Sequence, residues 1–151
     1  MRHLALIALL LAAGCRDFAV DTGEDVVGRP FRSFDVEPNV PFEMGVGDEA
    51  YLTVADLTIT FSMVFEDTRC PVGETCEQPG RAGMLLDISR GVGDESQIIL
   101  QIPGEVATPY RLNDFVQHRQ ERFQLLSLNP YPHADTDQSN AVYSARIVVD
   151  R

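Results

Sequence analysis

The sequence predicts an all-β fold, namely an antiparallel β-sandwich or small barrel of about six to eight strands. Several segments alternate apolar and polar residues with a period of two, which is typical of half-buried strands. Connectors rich in Gly, Pro and Asp separate these segments at intervals of about 8 to 15 residues. Strand-like segments do not alternate with helix-like ones, as a parallel α/β sheet would require.

The longest alternating segment is "LTITFSMVF" at residues 57–65. Its apolar positions fall on one face of a strand and its mainly polar positions on the other. The predicted core-facing residues of this strand are Leu57, Ile59, Phe61, Met63 and Phe65. A helix would distribute these residues around its circumference, so the pattern favours one long strand.

Five further segments predict strands, beginning with the short "AYLTVA" at 50–55. In three of the others, the alternating apolar residues are Met84, Leu86 and Ile88, then Ile98, Leu100 and Ile102, and finally Ala141, Tyr143, Ala145, Ile147 and Val149. In "FQLLSL", residues 123–128, the apolar phase changes between Leu125 and Leu126, as a β-bulge would cause.

Residues 112–121, "LNDFVQHRQE", do not alternate in this way. Asn113 is a suitable N-cap, and Leu112, Phe115 and Val116 have the spacing of an inward helix face. This segment predicts one or two helical turns.

The pentapeptide "GVGDE" occurs twice, at 45–49 and at 91–95, each time directly before a predicted strand. Because the similarity ends after five residues, it favours two similar turns over an internal duplication. In such turns we expect glycine to supply a positive φ and the Asp side chain to close the turn.

The chain begins with "MRHLALIALLLAAGC", which predicts a signal peptide over residues 1–14. The apolar run at residues 4–13 is too short to span a bilayer, which takes about 20 residues. The run ends in Ala12-Ala13-Gly14-Cys15, which resembles the lipobox of bacterial lipoproteins. The resemblance implies that acylated Cys15 begins the mature chain and holds it in the lipid bilayer. The alternative is an ordinary cleaved signal peptide that leaves Cys15 unmodified.

The rest of the chain is predicted to form a flexible tether, residues 15–41, and one β-sandwich domain, residues 42–151. The tether contains charge, Pro and Gly with little periodicity. The lipoprotein resemblance implies a place in the cell envelope. Arg16, where an inner-membrane retention signal would have Asp, favours the outer membrane, facing the periplasm or the exterior. We expect a monomer.

The formal net charge of −11 argues against binding to nucleic acid or to anionic lipid headgroups. All 12 basic residues are Arg, so chemistry that needs a lysine, such as a Schiff base or a Walker motif, is excluded. No motif in the sequence predicts a cofactor.

Cys70 and Cys76 remain as a pair once Cys15 is assigned to lipid. In an oxidising compartment such a pair predicts a structural disulfide. A metal or ligand loop would need further ligands, and His118 and His133 are both distant in sequence. A redox pair of the CxxC type has two intervening residues, whereas this pair has five. Both alternatives remain open at this point.

The segment "FSMVFEDTRCPVGETCEQPGRAGMLLDI" resembles a disulfide-loop pattern of uncharacterised bacterial envelope lipoproteins. The matching positions are Asp67, Arg69, Cys70, Pro71, Cys76, Gly80 and Ala82. Gln78 and Pro79 replace a Trp-Ala pair of that pattern. The resemblance implies a β-rich, lipid-anchored domain and no particular activity. Asp67, Arg69, Pro71 and Gly80 are expected either to brace the loop or to contact a partner.

Catalytic motifs are not evident. There is no G-x-S-x-G, and His118 lies in a charged segment where it is expected to face solvent. Asp135 and Asp137 are weak candidates for a cation site, because Asn140 and Arg146 stand where a calcium loop needs Gly and Glu.

The sequence therefore favours a non-enzymatic interaction or structural module of the envelope, with an envelope protein as its partner. Two alternatives are inhibition of a secreted protease or other enzyme through the disulfide loop, and binding of a metal or small ligand near residues 133–140.

Overall fold

The computed structural model describes residues 30–104, 115–138 and 140–151. It contains two β-sheets packed face to face and not closed into a barrel, which confirms the predicted sandwich. The predicted signal peptide, Cys15, the first part of the tether, Leu112 and Asn113 lie outside the described residues.

The first sheet has five strands in the spatial order β1-β3-β4-β5-β6. Their bounds are Ser33–Asp35 for β1, Glu49–Leu52 for β3, Leu57–Asp67 for β4, Arg81–Ser89 for β5 and Glu95–Pro103 for β6. Strand β1 pairs parallel to β3, and the other pairs are antiparallel. A single 3₁₀ turn at Thr53–Ala55 links β3 to β4.

The second sheet has four strands in the order β2-β9-β8-β7, all paired antiparallel. Their bounds are Phe42–Gly45 for β2, Phe115–His118 for β7, Glu121–Asn129 for β8 and Ser144–Asp150 for β9. The core lies between the sheets, and its largest fully buried apolar side chains are Phe61, Phe123, Met44, Leu52, Leu57, Ile59, Met84, Leu86, Leu100, Leu128 and Ile147.

Strand β4 departs from its predicted alternation in its second half. Leu57, Ile59 and Phe61 are buried as expected, but the pairing with β5 shifts register after Phe61 and again after Val64. The first irregularity reverses the alternation, so that Val64 packs against the core while Met63 and Phe65 lie on the outer face. The prediction that Met63 and Phe65 face the core is therefore wrong, and both are about half exposed, at 49% and 44%.

The other strand predictions agree better with the structure. Met84, Leu86 and Ile88 of β5, and Ile98 and Leu100 of β6, are buried. The predicted bulge in β8 is confirmed, because the register shifts after Leu125 and Leu126 turns outward. The described sheet begins at Ser33, upstream of the residue-42 boundary inferred from composition.

The helical turns predicted at 112–121 are absent from the described part of that segment. Phe115–His118 forms β7 and Glu121 begins β8, with Arg119 at φ 56° in the turn between them. Val116 is half-buried while Phe115 is 49% exposed, which is an alternation rather than a helix face. The apolar spacing fitted both periods over so short a length, and cross-strand pairing with β8 decided between them.

The two "GVGDE" turns share one backbone feature, since Gly47 and Gly93 both have positive φ, at 86° and 84°. Their Asp residues differ. Asp48 is fully buried and accepts a hydrogen bond from the Gly45 N–H at 2.8 Å, whereas Asp94 pairs with Arg119 at the surface. Closure of the turn by the Asp side chain is thus confirmed for the first copy only.

Candidate functional site

The disulfide predicted between Cys70 and Cys76 is present, with the two Cα atoms 5.9 Å apart. It closes the connection between β4 and β5 at one end of the sandwich. Residues 72–78 within this connection are exposed, while Pro71 is half-buried. Because both sulfur atoms are in the disulfide, neither cysteine is a thiolate ligand for a metal in this state.

A second loop lies against the first. Val72 forms a parallel bridge with His133, in which the Val72 N–H donates to the Pro132 carbonyl at 2.9 Å. The Ala134 N–H donates in return to the Val72 carbonyl at 3.2 Å. We call residues 70–78 and 130–137 together the loop pair. The structure thus joins two stretches that the sequence singled out separately.

Arg69 lies beneath the loop pair and is 3% exposed. Its Nε and Nη2 atoms donate to the Asp67 carboxylate at 2.8 and 2.6 Å. Its Nη1 donates to the Leu128 carbonyl at 2.8 Å, and Nη2 also reaches the Pro130 carbonyl at 3.0 Å. One guanidinium therefore connects the base of the disulfide loop to the base of the second loop.

Asp67 and two tyrosines complete the surroundings of Arg69. The guanidinium carbon lies 4.6 Å from the centre of the Tyr131 ring, a cation–π geometry. Asp67 also accepts the Arg69 N–H at 3.3 Å, as in an Asx turn, and the Tyr143 hydroxyl at 3.0 Å. Burial, followed by the charge of Asp67 and its hydrogen bond, raises the pKa of Tyr143 to about 12.

Gly80 fixes the return of the disulfide loop into β5. Its φ is 65°, and a Cβ there would overlap the Thr68 carbonyl oxygen. Nearby, the Cys70 N–H donates to the Pro79 carbonyl at 2.9 Å, and the Gly104 N–H to the Gly80 carbonyl at 3.0 Å. Backbone hydrogen bonds thus close the base of the loop, and the Thr68 carbonyl leaves no space for a side chain at residue 80.

The exposed part of the loop pair is acidic, with one large apolar residue. Glu74, Glu77 and Asp135 are exposed, and Val72 is 48% exposed at the bridge between the loops. His133 is the only exposed basic side chain within the loop pair. A rigid surface of this kind can recognise a partner by shape and by negative charge.

The candidate cation site is not assembled from several ligands. Asp135 accepts a hydrogen bond from the Thr136 hydroxyl at 3.5 Å. In residues 30–104, 115–138 and 140–151, no three His, Cys, Asp or Glu side chains form a group able to hold a metal ion.

At the opposite end of the sandwich, a shallow groove is lined in part by Ser96 and His118. The Ser96 hydroxyl and His118 Nε2 are 3.1 Å apart, so the contact joins β6 of one sheet to β7 of the other. His118 is half-buried rather than facing solvent, which corrects the sequence expectation. Beside it, Arg119 pairs with Asp94, and the hydrogen bond from Arg119 lowers the pKa of that carboxyl.

Sequence reasoning identified Asp67, Arg69 and the cysteines but missed the contribution of Tyr131, Tyr143 and the second loop. The prolines around Tyr131 in "NPYPH" could have suggested a rigid connection, but not its contact with residue 72.

The chain matches no protein-family model, no curated protein and no solved structure. In the described part of the chain, no helix has the length and apolar character needed to cross a bilayer.

Proposed function

We propose that this protein is a lipid-anchored module of the bacterial cell envelope that presents the loop pair to a protein partner. The observation that carries the proposal is the buried Arg69, which binds the bases of both loops at once. Its four hydrogen bonds to Asp67, Leu128 and Pro130, together with the disulfide, limit the conformations of the loops before any partner arrives.

Preorganisation favours recognition because an already ordered loop loses less conformational entropy on binding. The exposed acidic side chains of the loop pair favour a partner with a basic surface. The lipobox-like sequence at Cys15 supports an anchored location, with the domain acting as a monomer at the membrane surface.

The anchor is tested separately from the partner. Labelling of living cells with a palmitate analogue is expected to mark the wild-type protein and not Cys15→Ala. Equal labelling of both forms would contradict lipidation at this residue.

The partner surface is tested by crosslinking in native envelopes with the acylated protein as bait. We expect Glu74→Lys/Glu77→Lys to lose the crosslinked partner while retaining the wild-type circular dichroism spectrum. A matched control, Glu37→Lys/Glu95→Lys, changes the net charge equally at exposed positions outside the loop pair. Loss of the partner in both double variants would assign the effect to overall charge and contradict the loop assignment.

A second candidate function is inhibition of a secreted protease through the disulfide loop. The observation that favours it is the closed, braced geometry of residues 70–78, whose tip is exposed. Titration of secreted proteases with the purified domain is expected to show tight inhibition that Cys70→Ser/Cys76→Ser removes. Rapid cleavage of the intact loop, without inhibition, would contradict this function.

A further inference from the structure

The outer face of the five-stranded sheet carries an apolar row across three strands. Met63 of β4 pairs in register with Leu85 of β5, which pairs with Ile99 of β6. Met63 and Ile99 are each 49% exposed, and Leu85 is half-buried between them. Directly opposed side chains in neighbouring strands touch, so these three form one continuous surface.

Phe65 extends this surface along β4. Its ring covers Gly83 of β5 so closely that a Cβ on Gly83 would overlap the ring atoms, and the ring remains 44% exposed. Gly83 therefore provides the space in which the aromatic ring lies against the sheet. We call Met63, Phe65, Leu85 and Ile99 the outer apolar row.

The irregular register of β4 is what places Met63 and Phe65 outside. Burial of apolar side chains stabilises a fold, so regular alternation, with both side chains in the core, would give a more stable domain. β-Bulges often re-aim side chains for a purpose other than core packing. A contiguous exposed apolar surface of this kind is typical of a binding site.

Polar residues border the outer apolar row on two sides. On one side Asp87 accepts hydrogen bonds from the Ser62 hydroxyl and, at 2.7 Å, from the Gln97 amide. On the other side Glu66 pairs with Arg81 at 2.9 Å. Among the described residues, only neutral groups donate to Asp87, so its negative charge is not neutralised by an ion pair.

We propose that the outer apolar row docks a protein segment whose apolar side chains lie next to a Lys or Arg, with that basic group pairing with Asp87. A second copy of this chain is disfavoured because it would bring another acidic surface, in a protein of net charge −11. An anionic membrane surface is disfavoured for the same reason.

The probe is a synthetic peptide of about ten residues, the length of a typical strand, that alternates Leu and Lys. A matched peptide alternates Leu and Glu. Calorimetry and amide chemical shifts are expected to show that the Lys peptide alone binds, with shifts in β4, β5 and β6. Met63→Ser/Ile99→Ser is expected to weaken binding by about tenfold or more, as removal of central apolar anchors does.

Two controls make the assignment specific. Leu126→Ser/Val142→Ser removes exposed apolar side chains elsewhere and is expected to bind like the wild type. Asp87→Asn is expected to weaken binding at low salt and to have little effect at high salt, because screening removes the charge contribution.

Four results would overturn the proposal. They are absence of binding by the Lys peptide, equal binding of the Glu peptide, equal affinity of the Met63→Ser/Ile99→Ser variant, and a concentration-dependent dimer that this variant abolishes in sedimentation. The last result would assign the row to a second copy of the chain.

Discussion

Arg69 donates two charge-assisted hydrogen bonds to Asp67, and the exposed fractions of the two side chains are only 2% and 6%. A conformation that separated the two side chains would leave a buried charge without its partner, which is energetically costly. The pair therefore favours the one arrangement of the chain in which both side chains meet. The same guanidinium also satisfies two backbone carbonyls of the second loop and its approach. The pair therefore couples the fold of the domain to the geometry of the loop pair.

Arg69→Ala is expected to destabilise the domain by about 3–5 kcal/mol, since it strands the Asp67 carboxylate and removes the link between the loops. Arg69→Lys is expected to recover only part of this loss, because an ammonium lacks the planar fork that reaches Asp67 and both carbonyls. Urea unfolding followed by circular dichroism measures the difference.

The matched control for this prediction is Arg81→Ala. Arg81 pairs with Glu66, but its side chain is 59% exposed, so its loss is expected to cost less than about 1 kcal/mol. Equal losses for the two alanine variants would show that Arg69 does not act as a buried connector.

Gly80→Ala tests how closely the disulfide loop packs where it returns to β5. Gly91→Ala is the control that separates backbone strain from steric overlap. Both glycines have similar positive φ, at 65° and 63°, so alanine meets the same backbone strain at both, about 1–2 kcal/mol. Only at Gly80 would the new Cβ also overlap a backbone carbonyl, since Gly91 has no atom within 4 Å of that position. We expect Gly80→Ala to lower the free energy of unfolding by at least about 2 kcal/mol more.

Differential scanning calorimetry measures the difference in stability between the Gly80→Ala and Gly91→Ala variants. Similar melting temperatures for Gly80→Ala and Gly91→Ala would mean that the loop base can move aside, contrary to the close packing described above.

How far the sequence could predict this structure is clearest in β4. Its first half followed the period-two pattern, because one face of a regular strand is buried and the other is not. The register shifts near Met63 and Phe65 depend on pairing with β5, a partner that is not encoded in the local alternation. In β8, by contrast, two adjacent leucines displayed the bulge directly in the sequence.

The candidate site shows the same limit. Asp67, Arg69 and the two cysteines lie close together in sequence, so their local turn could be anticipated. Contacts of Arg69 with residues 128 and 130 span about sixty positions and are fixed only by the packing of the two sheets. The two identical pentapeptides likewise lie in different environments. Asp48 is buried and accepts a hydrogen bond from Arg32, whereas Asp94 pairs with Arg119 at the surface.

Tyr143 predicts a decline in stability at alkaline pH. Its pKa is raised to about 12 in the folded protein from an ordinary value of 10.0, so the native state holds the phenolic proton more tightly than the unfolded chain. The stabilising contribution is complete below pH 10 and is lost as pH rises toward 12. Tyr143→Phe is expected to reduce this slope in urea unfolding measured across the range.

Tyrosinate absorbance provides the direct test. Tyr143→Phe is expected to remove a late-titrating tyrosine from the wild-type curve and to leave Tyr51, whose hydrogen bond to Asp56 also raises its pKa. Titration of all tyrosines near pH 10 would show that the Tyr143 hydroxyl does not donate to Asp67 in solution.

Asp48 and Asp94 give a matched comparison, since each is the fourth residue of "GVGDE". Burial alone would raise the pKa of Asp48, but hydrogen bonds from the Arg32 side chain and from the Gly45 and Arg32 N–H groups outweigh it and lower the pKa. The stability that Asp48 contributes is therefore present above its ordinary value of 3.8 and is lost as pH falls below it.

Asp48→Ala is expected to cost about 2–4 kcal/mol at neutral pH, because it leaves the buried Gly45 N–H and the partly buried Arg32 N–H without an acceptor. Asp94→Ala, which breaks an exposed pair with Arg119, is expected to cost less than about 1 kcal/mol. Urea unfolding at neutral and acid pH measures both, and the Asp48 variant is expected to lose less stability on acidification than the wild type. Equal stability of the two alanine variants would show that Asp48 does not hold the segment at Arg32 against the sandwich. The start of β1 would then be fixed by other contacts.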